Sequence, residues 1–425
     1  MLVGFSTSTA HVTKIFNIND IRAGDRNLNL KAIIVGGGVG GLTAAICLRL
    51  TGWDVHVYEK ATKISETGAG IQISPNGIKI LDEIGVLPLL EDTLFEPDAI
   101  EIRNGLSGRQ LINLPMGGYA QARWNARYVQ IHRADLVNGL RSRLMHLAPS
   151  SITTNAEVIS VMHSPLGGVV TFTSHPEQQA NLVIGADGIR SVVRQKILGQ
   201  DRPQFTGNMA WRTTIDIDKL GDLVPPPTGC IWTGKKKHAV TTRIRAGQMV
   251  NFVGIVEQPT WQEEGWLIKG CKEDALLDFK GWDPRITNLI ENAVELNRWG
   301  LFERNPLAKW HVGHIALLGD AAHAMLPSMA QGAVQSIEDA CVLASVLKSC
   351  PKNKISDQLG KYFRKRIART SKVQRISKRN LRLFHKATAL SQLTWYGPIW
   401  IAGKTIPTIV QGRLDWLYDA EFPLL

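Results

Sequence analysis

Lys31-Ala32-Ile33-Ile34-Val35-Gly36-Gly37-Gly38-Val39-Gly40-Gly41, followed by Val55-His56-Val57-Tyr58-Glu59, is the stretch on which the fold turns. Residues 31–35 form a short apolar run that ends in glycines, the pattern of a buried parallel strand. Residues 42–50 read as a helix and 55–58 as a second strand. Strand, glycine turn, helix and strand thus fit within about 30 residues, the size of a βαβ unit. Gly36, Gly38 and Gly41 satisfy G-x-G-x-x-G. The first makes the tight turn, the second lets backbone approach a pyrophosphate, and the third lets the helix pack close to the sheet. The helix N-terminus offers N–H groups and the positive end of its dipole to phosphates. Glu59 stands 18 residues after Gly41, at the end of the second strand, where a carboxylate accepts from ribose hydroxyls. No second complete fingerprint follows, so one dinucleotide is expected to be held firmly and any other to visit transiently.

Outward from this unit the texture changes. Residues 209–215, 239–244 and 249–256 resemble strands separated by turns, and Pro225, Pro226 and Pro227 mark a loop. The chain then returns to an apolar strand at 315–318 and a helix from about Gln331. The expected class is α/β: a Rossmann-like dinucleotide-binding domain, a mostly antiparallel second domain and C-terminal helices. The expected divisions are an N-terminal extension at 1–30, a discontinuous binding domain at 31–200 and 298–360, a substrate domain at 201–297, and a helical region at 361–425.

The chain has 425 residues, 44% hydrophobic and 20% charged, as expected of a globular protein with a large core. Cys47, Cys230, Cys271, Cys341 and Cys350 are odd in number, widely spaced and without a CxxC, which argues against a disulfide framework or a zinc site. We expect no resident metal and a reducing, cytoplasmic location. The net charge of +12 is concentrated. Eleven Lys and Arg residues lie between Lys361 and Lys386 with no acid among them. Phe363, Ile367, Val373, Ile376 and Phe384 recur there at roughly helical spacing, so the run reads as one or two amphipathic helices with a solvated basic face. No recognition motif accompanies the charge, which argues against nucleic acid. The Trp- and Pro-rich tail is interrupted by Lys404 before 18 apolar residues accumulate, so it is not a transmembrane helix. Its composition suits packing against the body or contact with a membrane surface.

Two further motifs carry chemistry. Ile184-Gly185-Ala186-Asp187-Gly188-Ile189-Arg190-Ser191 follows a short apolar strand; alone it reads equally as a glycine turn with a capping Asp. Leu318-Gly319-Asp320-Ala321-Ala322-His323 leads through Pro327 to Ala330-Gln331-Gly332-Ala333. Asp320 follows a strand directly and is placed to accept from cofactor hydroxyls. The helix opened by Gly332 and Ala333 offers free N–H groups to an anionic ring.

With these three motifs, together with 68–76, His132-Arg133-Ala134-Asp135-Leu136, Ala210-Trp211-Arg212 and Gly281-Trp282-Asp283-Pro284-Arg285, the sequence resembles the single-component FAD-dependent aromatic hydroxylases, the class of para-hydroxybenzoate hydroxylase. It is most similar to the salicylate-hydroxylase-like branch, over roughly residues 31–385. The resemblance implies a monooxygenase that uses FAD, with NADPH or NADH as a transient co-substrate, and O2. A flavin C4a-hydroperoxide would hydroxylate a small electron-rich, aromatic or phenolic molecule. Gly36, Gly38, Gly41 and Glu59 would hold the ADP half of FAD, and Arg133 would meet the pyrophosphate. Gly319 and Asp320 would hold the ribityl and phosphate region. Asp187 would serve both cofactors, and Pro327, Gly332 and Ala333 would lie beside the isoalloxazine.

Candidate substrate residues follow from the same resemblance. Arg212 is an anchor for a carboxylate or phenolate, or a structural strand arginine. His238 begins a strand where relatives have His, three variable residues, Tyr and Pro; here Thr242 and Arg243 replace the last two. Arg243 would supply a charge there unless strand alternation turns it away. His323 reads as a local acid or base, or as a hydrogen-bonded structural histidine. Thr242 and Arg243 keep open an epoxidase or dearomatising monooxygenase of secondary metabolism on the same fold. A non-catalytic FAD-binding protein is the different-class alternative.

Overall fold

The computed structural model describes residues 30–64, 70–261, 268–385 and 411–422. The N-terminal extension, Gly68 and Ala69, and most of the Trp- and Pro-rich tail lie outside the described residues. The fingerprint forms as its pattern dictates: strand Lys31–Val35, helix Val39–Leu50 and strand Asp54–Tyr58. The first strand is the centre of a six-stranded sheet. Its neighbours are Asp54–Tyr58 on one side and Leu182–Gly185 on the other, all parallel. Ile315–Leu317 continues the sheet in parallel beyond Leu182–Gly185, and His311–Val312 closes that edge antiparallel. The centre is apolar on both faces, as a parallel sheet covered by helices requires. Ile33, Ile34, Leu42, Val183, Ile184 and Leu317 are fully buried, each contributing roughly 1.5–3 kcal/mol.

The second sheet has eight strands: Ile268–Lys269, Asn297–Glu303, Gln204–Asp216, Met249–Glu257, Lys237–Ile244, Gly229–Gly234, Ala99–Asn104 and Gln110–Pro115. All pairs are antiparallel except Gly229–Gly234 with Ala99–Asn104. The sheet therefore recruits 99–115 and 298–303, which lie outside 201–297. No turn chemistry announces this, because the recruited strands join across long sequence separations. Along each strand alternate residues face opposite ways. One face packs Trp211, Trp232 and Phe252 against Phe279, Ile286 and Leu289, from and beside the helices Lys272–Asp278 and Pro284–Glu291. Asp283 caps the latter helix by accepting from Arg285 N, with Pro284 at the first helical position. The opposite face carries Ala210, Ile255, Trp299 and Leu301, against which Leu326 and Leu381 pack. That contact packs the second sheet against the Leu326 turn and the C-terminal helix.

The basic run is a single helix, Ile355–Phe384. Its buried stripe is Ile355, Leu359, Tyr362, Arg366, Thr370, Val373, Ser377, Leu381 and Phe384, a period of three or four that includes an arginine. Lys361, Arg364, Lys365, Lys372, Arg375, Arg379 and Arg382 are exposed. Among the described residues, no helix is long and apolar enough to cross a membrane.

Candidate active site

The first two motifs meet backbone to backbone. Gly36 has φ +107°, and a Cβ there would stand 2.5 Å from Ala186 O; at Gly41 a Cβ would stand 2.0 Å from Gly36 O. Gly38 caps the helix in extended backbone. Glu59 accepts from Gly37 N at 2.7 Å and from Ala61 N at 2.9 Å. A carboxylate has about four lone-pair sites, so it retains capacity for a ribose hydroxyl. Asp187 accepts from Ser191 Oγ at 2.5 Å and from Val193 N at 3.1 Å. It thus shapes its own turn at the start of the helix Val192–Leu198, and burial raises its carboxyl against those two hydrogen bonds.

The third motif continues the groove. Gly319 has φ +62°, and Asp320 opens the short helix Asp320–His323. Asp320 is accessible at its surface, yet the protein crowded around it raises its carboxyl, opposed by the charges of His323 and Arg133. An accessible acid in a dense surround lies at the wall of a cleft. Arg133, at the start of the helix Arg133–Leu147, is near enough for its charge to act there. Pro327 is exposed and begins a single turn that ends at Ala330 in left-handed backbone. Gly332 and Ala333 open the helix Gly332–Leu347, and no atom lies within 4 Å of where a Cβ on Gly332 would be. A 16-residue helix thus begins with room beside its first residue.

Beneath this groove lies a buried charged cluster absent from the sequence reading. Asp339 accepts from Gly319 N at 3.0 Å, His323 Nε2 at 2.5 Å and Arg366 Nε at 2.7 Å. Burial would raise its carboxyl, but the charges of His323 and Arg366 hold it at about 2. Glu338 accepts from Arg366, from both Arg369 Nε and Nη2, and from Asn76 Nδ2. Gln331 donates to Ser74 Oγ, and Arg369 also donates to the carbonyls of Trp416 and Leu417. His323 therefore turns inward, 1% exposed, as a strut for the Gly319–Asp320 turn. One local signal existed: Glu338 and Asp339 interrupt an otherwise apolar helix, and two adjacent acids in a buried element require cations.

The second sheet supplies the other wall. Ala210 and Arg212 share a face, as do His238, Val240 and Thr242 on their strand, and His238 pairs with Ile255 on that face. Leu326, next to Pro327, packs on the same face that carries Arg212 and His238. The Arg212 guanidinium lies 4.5 Å from the Trp299 ring centre. His238 is buried, and burial, with the His385 charge, holds it well below the usual histidine range. Thr242 Oγ1 accepts from Asn251 Nδ2 at 3.1 Å. Arg243 belongs to the opposite face. Its Nη2 donates to Pro225 O at 2.6 Å, and alternation turns it away from Arg212 and His238.

The glycine-lined turn without room for a Cβ, the groove-facing acid and the open helix N-terminus fit the shape and charge of FAD. A model of the FAD binding domain family matches residues 29–377. The 3-amino-4-hydroxybenzoate 2-monooxygenase of Streptomyces platensis is 34% identical over 391 residues, 91% of this chain and 95% of that protein. The 6-hydroxynicotinate 3-monooxygenase of Pseudomonas fluorescens is 34% identical, covering 82% and 90%. The 3-hydroxybenzoate 6-hydroxylase of Klebsiella oxytoca is 31% identical, covering 92% and 96%. The solved Klebsiella pneumoniae HpxO with FAD and uric acid has a TM-score of 0.79 at 26% identity, covering 90% of this chain and 95% of that one. A salicylate hydroxylase substrate complex, with a TM-score of 0.77 at 24% identity and covering 92% and 96%, shares the fold. The chain belongs to the FAD binding domain family, among its FAD-dependent aromatic monooxygenases.

Proposed function

We propose that the protein hydroxylates a single aromatic ring that carries both a hydroxyl and a carboxylate. The observation that carries this reading is the pairing of Arg212 and His238 on one sheet face beside the Leu326–Pro327 turn. Their strands are separated by one other, so about 10 Å of sheet lies between them. Two side chains reaching inward across that distance suit a ring with an acid at one end and a hydroxyl at the other. The names of the three relatives each describe such a ring.

FAD, when bound, would supply the redox and oxygen-activating chemistry, with NADH or NADPH as the reductant. The chain's own residues do the rest. Gly36, Gly38, Gly41, Glu59 and Arg133 hold the ADP half, with the Asp187 turn against Gly36. Gly319 and Asp320 hold the ribityl region, and Pro327, Gly332 and Ala333 flank the ring. Arg212 anchors the carboxylate through charge-assisted hydrogen bonds. His238, kept neutral by burial, accepts the hydroxyl proton and so enriches the ring in electrons. Trp299, Leu301 and Leu326 exclude water from that face. Thr242, engaged with Asn251, leaves proton transfer to the histidine.

The test is oxidation of NADPH and NADH by the purified yellow protein, with salicylate, 3-hydroxybenzoate or 6-hydroxynicotinate present or absent. At least one of these should stimulate oxidation and gain one oxygen atom, while benzoate and phenol stimulate far less. Stimulation only by an alkene or an indole would replace this substrate class. Bound flavin with no stimulation by any of them would do the same.

A further inference from the structure

His238 is the inner end of a longer chain of side chains. Its Nδ1 lies 2.8 Å from Nε2 of His385, and Nδ1 of His385 lies 3.3 Å from Oε1 of Glu257. The three come from separate elements: the strand Lys237–Ile244, the end of the strand Met249–Glu257, and the residue closing the helix Ile355–Phe384. Backbone hydrogen bonds lock the junction, because Lys236 N donates to His385 O and Glu257 N donates to Lys236 O, each at 3.0 Å. The Phe384 ring stands 5.2 Å from that of His238. His385 is the titratable group whose charge acts on His238, and Glu257 the one whose charge acts on His385. Lys236 meets the group through its backbone, and the Lys237 ammonium is engaged with Asp278 O on the other face.

The proton positions follow from the partners. An ionised carboxylate only accepts, so Nδ1 of His385 carries a hydrogen toward Glu257. In neutral His385 the other nitrogen, Nε2, then holds a lone pair and accepts. Nδ1 of His238 must be the donor to it, which leaves the lone pair of His238 on Nε2. A histidine's second nitrogen is set by the hydrogen bond that the first one makes. Glu257 is 43% exposed on its side chain and His385 6%, so the chain runs from solvent into the sheet face that carries Arg212.

We propose that His385 and Glu257 are positioning residues that fix His238 as its Nδ1–H tautomer, presenting Nε2 to the substrate hydroxyl. This rests on the reading of a hydroxylated substrate given above. In the step they serve, the substrate O–H bond breaks, its electron pair stays on the phenolate oxygen, and the proton forms a bond to His238 Nε2. The resulting imidazolium donates to His385, and Glu257 offsets the charge from the far end.

Histidine labelled with 15N, observed by NMR in the FAD-loaded protein, reads this directly, with a His238→Asn variant identifying the signals. The wild type should have His238 protonated at Nδ1 at pH 7–8. Glu257→Gln turns an acceptor-only group into one that also donates, and should mix or reverse the tautomer; Glu257→Asp should retain it. His385→Phe removes the partner outright. In whichever phenolic acid stimulates the wild type most, Glu257→Gln should lower kcat about tenfold, a part of the roughly 10²–10⁴ that a positioned base contributes. The acid limb of its pH profile should move to lower pH, because the imidazolium has lost support. A His238 tautomer unchanged in both Glu257→Gln and His385→Phe overturns the proposal, whatever the activity. Absence of phenolic stimulation in the wild type appears in the unmutated protein and overturns the substrate reading instead, and with it the catalytic use of the tautomer.

Discussion

The two walls of the groove treat buried charge in opposite ways. Under the flavin side, Glu338 and Asp339 are wholly buried, and each accepts at least three hydrogen bonds from Arg366, Arg369, His323, Asn76 and Gly319 N. At the end of the substrate sheet, Arg243 is also buried, but its Nε and Nη1 lack partners among the described residues, as do Gln130 Nε2 and Thr228 Oγ1 nearby. The first wall holds one constant ligand, and a fixed network keeps its turns in register. The second leaves bonding capacity unspent around Arg243. The contrast is between fully paired acids under the cofactor turns and an under-bonded arginine in the second sheet.

Substitutions can break or sharpen that contrast. The largest expected effect is Arg366→Ala, which strands two buried carboxylates. It should cost about 3–5 kcal/mol in denaturant unfolding and weaken FAD retention, with Arg366→Lys recovering part of both. Next is Gly36→Ala, which pushes a Cβ to 2.5 Å from Ala186 O at φ +107°. Strain of about 1–3 kcal/mol is expected, read as a higher Kd for FAD in fluorescence titration. Smallest is Arg243→Met. It removes a charge that burial already disfavours, so stability should change by less than about 1 kcal/mol, in either direction. If Arg243→Met proved as costly as Arg366→Ala, the contrast between the walls would fail.

What the sequence disclosed follows the range of the interactions. The Gly36–Gly41 turn and Glu59 were legible because strand, turn, helix and acid are contiguous. The Asp320 and Gly332 turn was legible for the same reason. The turn of Arg243 away from Arg212 and His238 was half legible, since alternation fixes a face but not which face meets the groove. The cluster of Asn76, Gln331, Glu338, Asp339 and Arg366 was not legible. Its members are scattered from 76 to 366, and only the fold brings them together. Arg366 was hidden among exposed cations, because a charge count does not distinguish the one position in the stripe that turns inward. The recruitment of Ala99–Asn104 into the second sheet was missed likewise, for pairing partners at long separation leave no local pattern. His385 and Glu257 join His238 only through the end of the helix Ile355–Phe384, a contact that no motif encodes.

The order of strands in the first sheet has a consequence for synthesis on the ribosome. Lys31–Val35, made early, is flanked on one side by Leu182–Gly185, which in turn needs Ile315–Leu317. The acids that brace the last turn then wait for Arg366. At about 5–20 residues per second, roughly 20–70 s separate translation of the fingerprint from that of the arginine that completes its support. The nascent chain therefore emerges without a finished cofactor cradle, and firm FAD capture should wait for that arginine.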